Sequence, residues 1–182
     1  MTAMTSPAET DTAAAGLADE DLTAGPPSLS ASVRVVDARW LAIAPVDLAG
    51  RVLTAVAASG AAPPEPASCD ILFADDETLA GLNRRFRGKE GSTNVLSFPS
   101  DDPPSPGEAR FLGGIALAFG RAEREAEERG IPFGHHATHL TLHGLLHLLG
   151  HDHEADDERA EMERIEIELL GGLGIPNPYE GS

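Results

Sequence analysis

The chain carries a single cysteine, Cys69, in 182 residues. That scarcity excludes a disulfide framework and any zinc site built on cysteine thiolates. It makes a reducing, cytoplasmic compartment the default expectation. Basic residues are scarce too: 13 Lys and Arg stand against 30 Asp and Glu, for a formal net charge of -17. Such a chain should be soluble and should not hold nucleic acid through bulk charge. Long hydrophobic runs are missing, and no stretch reaches the ~20 apolar residues of a membrane span. The start of the chain lacks the basic and apolar regions of a signal peptide. Residues 1–32 contain no Lys or Arg and are rich in Ala, Thr, Ser, Pro and Gly. That composition buries too little apolar surface to offset the entropy of ordering, so it reads as a disordered tail.

What is present is one domain's worth of patterned chain, expected over residues 33–175, with a loose tail at 176–182. Short apolar stretches at 33–36, 69–73, 93–98 and 111–119 read as strands. Helical spacing marks 46–58, a segment capped by Asp75 or Asp76 and running to about Arg85, and 121–129, 135–149 and 156–170. The charges of 121–129 read as a solvated face. Strands come early and helices late, with partial alternation. That order predicts an α+β domain: a small mixed sheet packed with helices around a central, metal-binding helix. No internal repeat is present.

All seven histidines fall between His135 and His153. His143 and His147 lie four residues apart in an apolar run, so a helix stacks them on one face. Gly150 then offers a helix stop, and the returning chain can bring His153 to the same point. Three neutral imidazoles with a fourth position left for water describe a catalytic zinc site. His139 and His143 share the spacing, but one ion cannot take both His139 and His147, which are ~12 Å apart along a helix. Only the pair His143 and His147 is followed by a glycine stop and a further histidine. His151 is the rival to His153. The bland alternative is a set of core histidines satisfied by other partners. A separate signal is the basic cluster Arg84, Arg85, Arg87 and Lys89. It reads as either a phosphate-binding patch or a solvated helix end.

The histidine spacing resembles that of metzincin-type zinc proteases. Those carry a glutamate after the first histidine as general base; here Gly144 follows His143. A closer resemblance spans roughly residues 33–172. The stretch Phe86-Arg87-Gly88-Lys89-Glu90-Gly91-Ser92-Thr93-Asn94-Val95-Leu96-Ser97-Phe98-Pro99 resembles the first signature of the YbeY family of bacterial rRNA-maturation endoribonucleases. His143 to His153 resembles that family's three-histidine zinc motif. The resemblance implies a single-strand-specific, metal-dependent endoribonuclease of 16S rRNA 3′-end maturation and ribosome quality control. It implies one Zn2+ per chain on His143, His147 and His153, with Arg87 as the functional arginine. Single-stranded RNA, ribosomal subunits and ribosome-associated proteins are the implied partners.

Two positions depart from the family pattern. His151 stands where an aromatic residue is usual, and Gly114 where the family's Leu-Gly-Asp-Ile strand has aspartate. That strand is expected to edge the cleft. Asp152 is a candidate to orient a ligand histidine, or a simple turn residue. Two other classes remain open. One is a metallopeptidase-like hydrolase. The other is a non-catalytic ribosome-assembly factor whose structural zinc is closed by Glu154, Asp156 or Asp157.

Overall fold

The computed structural model describes residues 22–103, 106–151, 153 and 155–180. Strands β1 (Leu22–Ala24) and β2 (Leu29–Val35) open the fold, followed by a 3-10 turn at Ala38–Ile43. Helix α1 (Pro45–Ser59), strand β3 (Ala67–Ala74) and helix α2 (Asp76–Arg87) come next. A hairpin of β4 (Val95–Pro99) and β5 (Arg110–Ala118) leads to α3 (Phe119–Arg129), α4 (Phe133–Leu148) and α5 (Asp156–Gly172). The strand order is β1-β2-β3-β5-β4. The β2–β3 and β3–β5 pairs are parallel, and the two outer pairs are antiparallel. This is the α+β fold with a mixed sheet that the order of elements predicts.

Alternation along the strands divides the sheet's two faces. Leu29, Ala31, Val33, Cys69, Ile71, Phe73, Ile115 and Leu117 belong to the main core. Ala74, Leu96, Ala116 and Ala118 pack with Leu79 of α2 in a smaller core. Successive strand residues point to opposite faces, so one sheet serves both. Helix α4 touches β4, β5, α1, α3 and α5. That central position explains why it is apolar on most sides. Trp40 is fully buried at the end of this core and donates its indole N–H to the Ala74 carbonyl at 2.9 Å. Its ring lies 5.0–5.3 Å from those of Phe73, Phe119 and Phe133.

Both expected domain boundaries move outward. β1 and most of β2 precede residue 33, and Leu29 and Ala31 are buried in the core. Alternation with serine and alanine is a weak apolar signal, and only pairing with β3 makes it a strand. At the other end Tyr179 bonds to α5 from within the expected tail. Residues 1–21, the greater part of the expected disordered tail, lie outside the described residues, as do residues 181 and 182.

Gly113 shows why β5 carries paired glycines. Its φ is +121°, and a Cβ there would lie 2.1 Å from the Phe98 carbonyl oxygen. The β3–β5 register steps from Ser68↔Phe111 to Asp70↔Gly114, so one extra residue is accommodated there as a bulge.

Candidate metal centre

The C-terminal end of α4 is built as the glycine stop predicts. Gly150 takes φ +90°, and the His151 N–H donates back to the Leu146 carbonyl at 3.0 Å. This closure reverses the chain and returns His153 to the helix end. The side-chain nitrogens of His143, His147 and His153 lie within 4.8 Å of one another. The His143 and His147 Nε2 atoms are 3.1 Å apart. Two lone pairs at that distance repel unless a proton or a cation lies between them. Two nitrogens ~2.0–2.1 Å from one tetrahedral ion would be separated by about 3.4 Å, so the pair fits shared ligation. His151 lines the same cleft but is not in the three-histidine group. Asp152 and Glu154 lie outside the described residues. Asp156 is fully exposed and faces Arg159, so it does not close the site.

Behind His143 sits a carboxylate that the sequence did not single out. Glu166 of α5 has no solvent exposure. It accepts from His143 Nδ1 at 2.8 Å and from the Tyr179 hydroxyl, and His139 Nε2 lies 3.5 Å away. Burial opposes its ionisation, but the hydrogen bonds from His139, His143 and Tyr179 outweigh burial and hold its carboxyl down at about 2. An ionised carboxylate can only accept, so His143 Nδ1 must carry the proton. The Nε2 lone pair is thereby left for an ion. The same buried charge raises the Tyr179 hydroxyl above its ordinary value, after burial itself. His139, His143 and Glu166 also form a compact donor group. It uses His143 Nδ1, whereas the three-histidine group faces Nε2. The detectable signal for Glu166 was its place in the stripe Met162, Glu166, Leu169 and Leu170, all buried at helical spacing.

His136 has a different partner. His136 is buried and its Nε2 lies 3.0 Å from Glu125. Burial first, against the pull of Glu125, lowers its pKa. Glu125 also accepts from Asn94 at 2.8 Å and from Arg121 at 3.0 Å. The α3 charges are therefore not all a solvated face: Glu125 anchors the loop that enters β4. It was missed because its partners lie 11 and 31 residues away.

A cleft of about 790 Å³ opens over the histidines. Arg87 and Lys89 line it, with Thr93, Asn94 and Ser97. Of the basic cluster, then, two members reach the cleft. Arg84 instead pairs with Glu90 at 3.2 Å, and Arg85 lies over the Phe86 ring. Gly144 faces the sheet, where a Cβ would lie 2.7 Å from Ile115 Cγ2 and 3.2 Å from Ser97 Oγ. A glutamate there would have to displace the Ile115 side chain. β5 is interior to the sheet, and Gly114 lines a groove on the opposite face, so the expectation that it edges the cleft is corrected. Ile115 points to α4, and its neighbour must point away.

The profile of the family described as Endoribonuclease YbeY matches residues 45–174. A relative from Chelativorans sp. (strain BNC1), named Endoribonuclease YbeY, is 50% identical over 133 residues, covering 72% of this chain and 81% of the relative. Another of the same name, from Dinoroseobacter shibae, is 42% identical over 168 residues, covering 85% and 93%. A solution structure of a Thermotoga maritima protein matches the fold with TM-score 0.51 at 22% identity, covering 82% of this chain and 96% of that one.

Proposed function

The chain belongs to the Endoribonuclease YbeY family, and from that membership we propose that it is a zinc-dependent endoribonuclease acting on single-stranded RNA. Its place would be the cytoplasm, in 16S rRNA 3′-end maturation and ribosome quality control, with ribosomal subunits or their associated proteins as partners. No helix among the described residues is long and apolar enough to cross a membrane. The observation that carries the reading is the convergence of His143, His147, His153 and Arg87 on one cleft.

In this reading His143, His147 and His153 hold the ion through neutral imidazoles. Zinc bound there would act as a Lewis acid on a phosphoryl oxygen and lower the pKa of water. Glu166 fixes the His143 tautomer and ring orientation. Arg87 holds the phosphodiester with its planar fork and offsets charge as the phosphorane develops. Lys89 adds a point charge at the same wall. Ser97 is already committed, since its hydroxyl donates to the Gly144 carbonyl at 3.1 Å. Its role is to seat α4 on β4. The close approach at Gly144 speaks against the peptidase mechanism, which needs a glutamate there.

The test is cleavage of a single-stranded RNA by purified protein, with metal content measured on the same sample. About one zinc per chain is expected. His147→Ala should lose metal and cleavage together. Arg87→Ala should lose cleavage and keep its metal, because Arg87 is exposed and is not a ligand. Equal cleavage in all three samples would identify a contaminating nuclease. Bound zinc without cleavage, also on whole ribosomal subunits, would favour the structural-zinc assembly factor.

A further inference from the structure

The metal cleft occupies one face of the sheet, and the other face is incompletely covered. There α2 packs on β4 and β5, while Ser32, Arg34, Asp70 and Leu72 of β2 and β3 remain at least partly exposed. A groove of about 400 Å³ follows this face, lined in part by Ser32, Asp70, Gly114, Phe86 and Phe98. Gly114 leaves its floor bare: the nearest atoms to a Cβ there are 4.0 Å away, so the space is real. Phe86 forms one wall and is 58% exposed. Its ring lies 5.2 Å from that of Phe98, and the Arg85 guanidinium sits 5.1 Å from its centroid.

A single exposed phenylalanine is ordinary on a protein surface. This one is set apart by its neighbours. Phe86 precedes Arg87, which lines the metal cleft, and Phe98 stands between Ser97 and Pro99, which line it too. The end of α2 and strand β4 thus present one side to the cleft and the other to the groove. β4 is the edge strand, so only a single strand separates the two. Arg87 and Lys89 line the cleft and Arg85 sits by the Phe86 ring, in a chain of net charge -17. That local charge favours a polyanion passing over this edge.

We propose that RNA bound in the metal cleft turns over the β4 edge and stacks a base flanking the scissile phosphate on Phe86, beside Arg85. This rests on the reading of the protein as an RNA-cleaving enzyme. Aromatic stacking with a nearby arginine holds single strands with little regard to sequence. A paired helix keeps its bases stacked inside, so it has none to offer the groove. The groove therefore supplies selection for single strands that three histidines and an arginine do not.

The test is equilibrium binding of a fluorescein-labelled, 2′-O-methylated single-stranded oligoribonucleotide, together with copies carrying one abasic site at each successive position. Wild-type protein should lose about tenfold in affinity when one particular base is removed, as expected for one stacked base. Phe86→Ala should bind the intact strand about tenfold more weakly and show no further loss at that position. Phe86→Tyr should behave as wild type, and all variants should keep their zinc content. A wild type that cleaves RNA, beside a Phe86→Ala variant that binds it equally tightly, overturns the groove alone and leaves this face to a protein partner. A wild type that neither binds nor cleaves RNA overturns the functional reading, and the groove with it.

Discussion

Replacing Glu166 by glutamine removes one charge from behind His143 and almost nothing else. The carboxylate accepts from His143 Nδ1 at 2.8 Å and, through its other oxygen, from the Tyr179 hydroxyl. The glutamine carbonyl can keep the bond to His143, and its amide can donate to the Tyr179 oxygen, so the fold should survive. What is lost is the charge-assisted part of the bond to His143. Hydrogen bonds to charged groups contribute roughly 1.5–3 kcal/mol and neutral ones roughly 0.5–1.5. The difference, about 1–2 kcal/mol, is about 5- to 30-fold in zinc affinity. It overlaps the roughly 10- to 100-fold losses seen when a ligand histidine's outer partner is altered. Competition against a chromophoric chelator measures the dissociation constant directly. Tyr179→Phe keeps the charge and should shift that constant less. A Glu166→Gln protein with an unchanged melting temperature and a zinc constant within twofold of wild type would refute the reasoning. So would a larger loss in Tyr179→Phe than in Glu166→Gln.

Three further outcomes follow from the same geometry. Lys89→Glu should weaken binding of single-stranded RNA and lower the slope of log affinity against log salt by about 0.7 for each phosphate that is no longer neutralised; an unchanged slope would place the strand elsewhere. Gly144→Ala should cost about 1–3 kcal/mol, because its Cβ meets the stiff Ile115 side chain at 2.7 Å. Thermal unfolding should show it as a melting point lower by about 2–4 °C per kcal/mol, and an unchanged melting point would mean that α4 can lift from the sheet freely. Burial pushes the Cys69 thiol up to about 12. It should resist alkylation at pH 8 in the native protein and react as one thiol in denaturant, whereas fast native labelling would show that the β3 core opens readily.

The histidine triad could be read from the chain because its geometry is local. Four residues of helix and a glycine stop bring His143, His147 and His153 together with no help from distant elements beyond the helix itself. Strands β3, β4 and β5 were equally legible as short apolar stretches. β1 and the start of β2 were not, since their small residues pattern weakly and only the pairing of β2 with β3 stabilises them. Gly144 was legible as a missing base. That a larger residue would crowd the sheet there was not, because the reason is Ile115, 29 residues earlier in the sequence.

Sequence by itself determined which histidines converge at the end of α4, the class of fold and the acidic character that forbids binding RNA by bulk charge. These depend on helical period, strand alternation and net charge, all properties of neighbouring residues or of simple sums. Tertiary structure decided which charges matter. It sent Arg87 and Lys89 into the cleft and Arg84 to Glu90. It buried Glu166 against His143 and drew Tyr179 from the expected tail to hold it. It also turned Gly114 and Phe86 to the far face of the sheet. A side chain's partners across a fold are set by which elements pack together, and no local pattern carries that information.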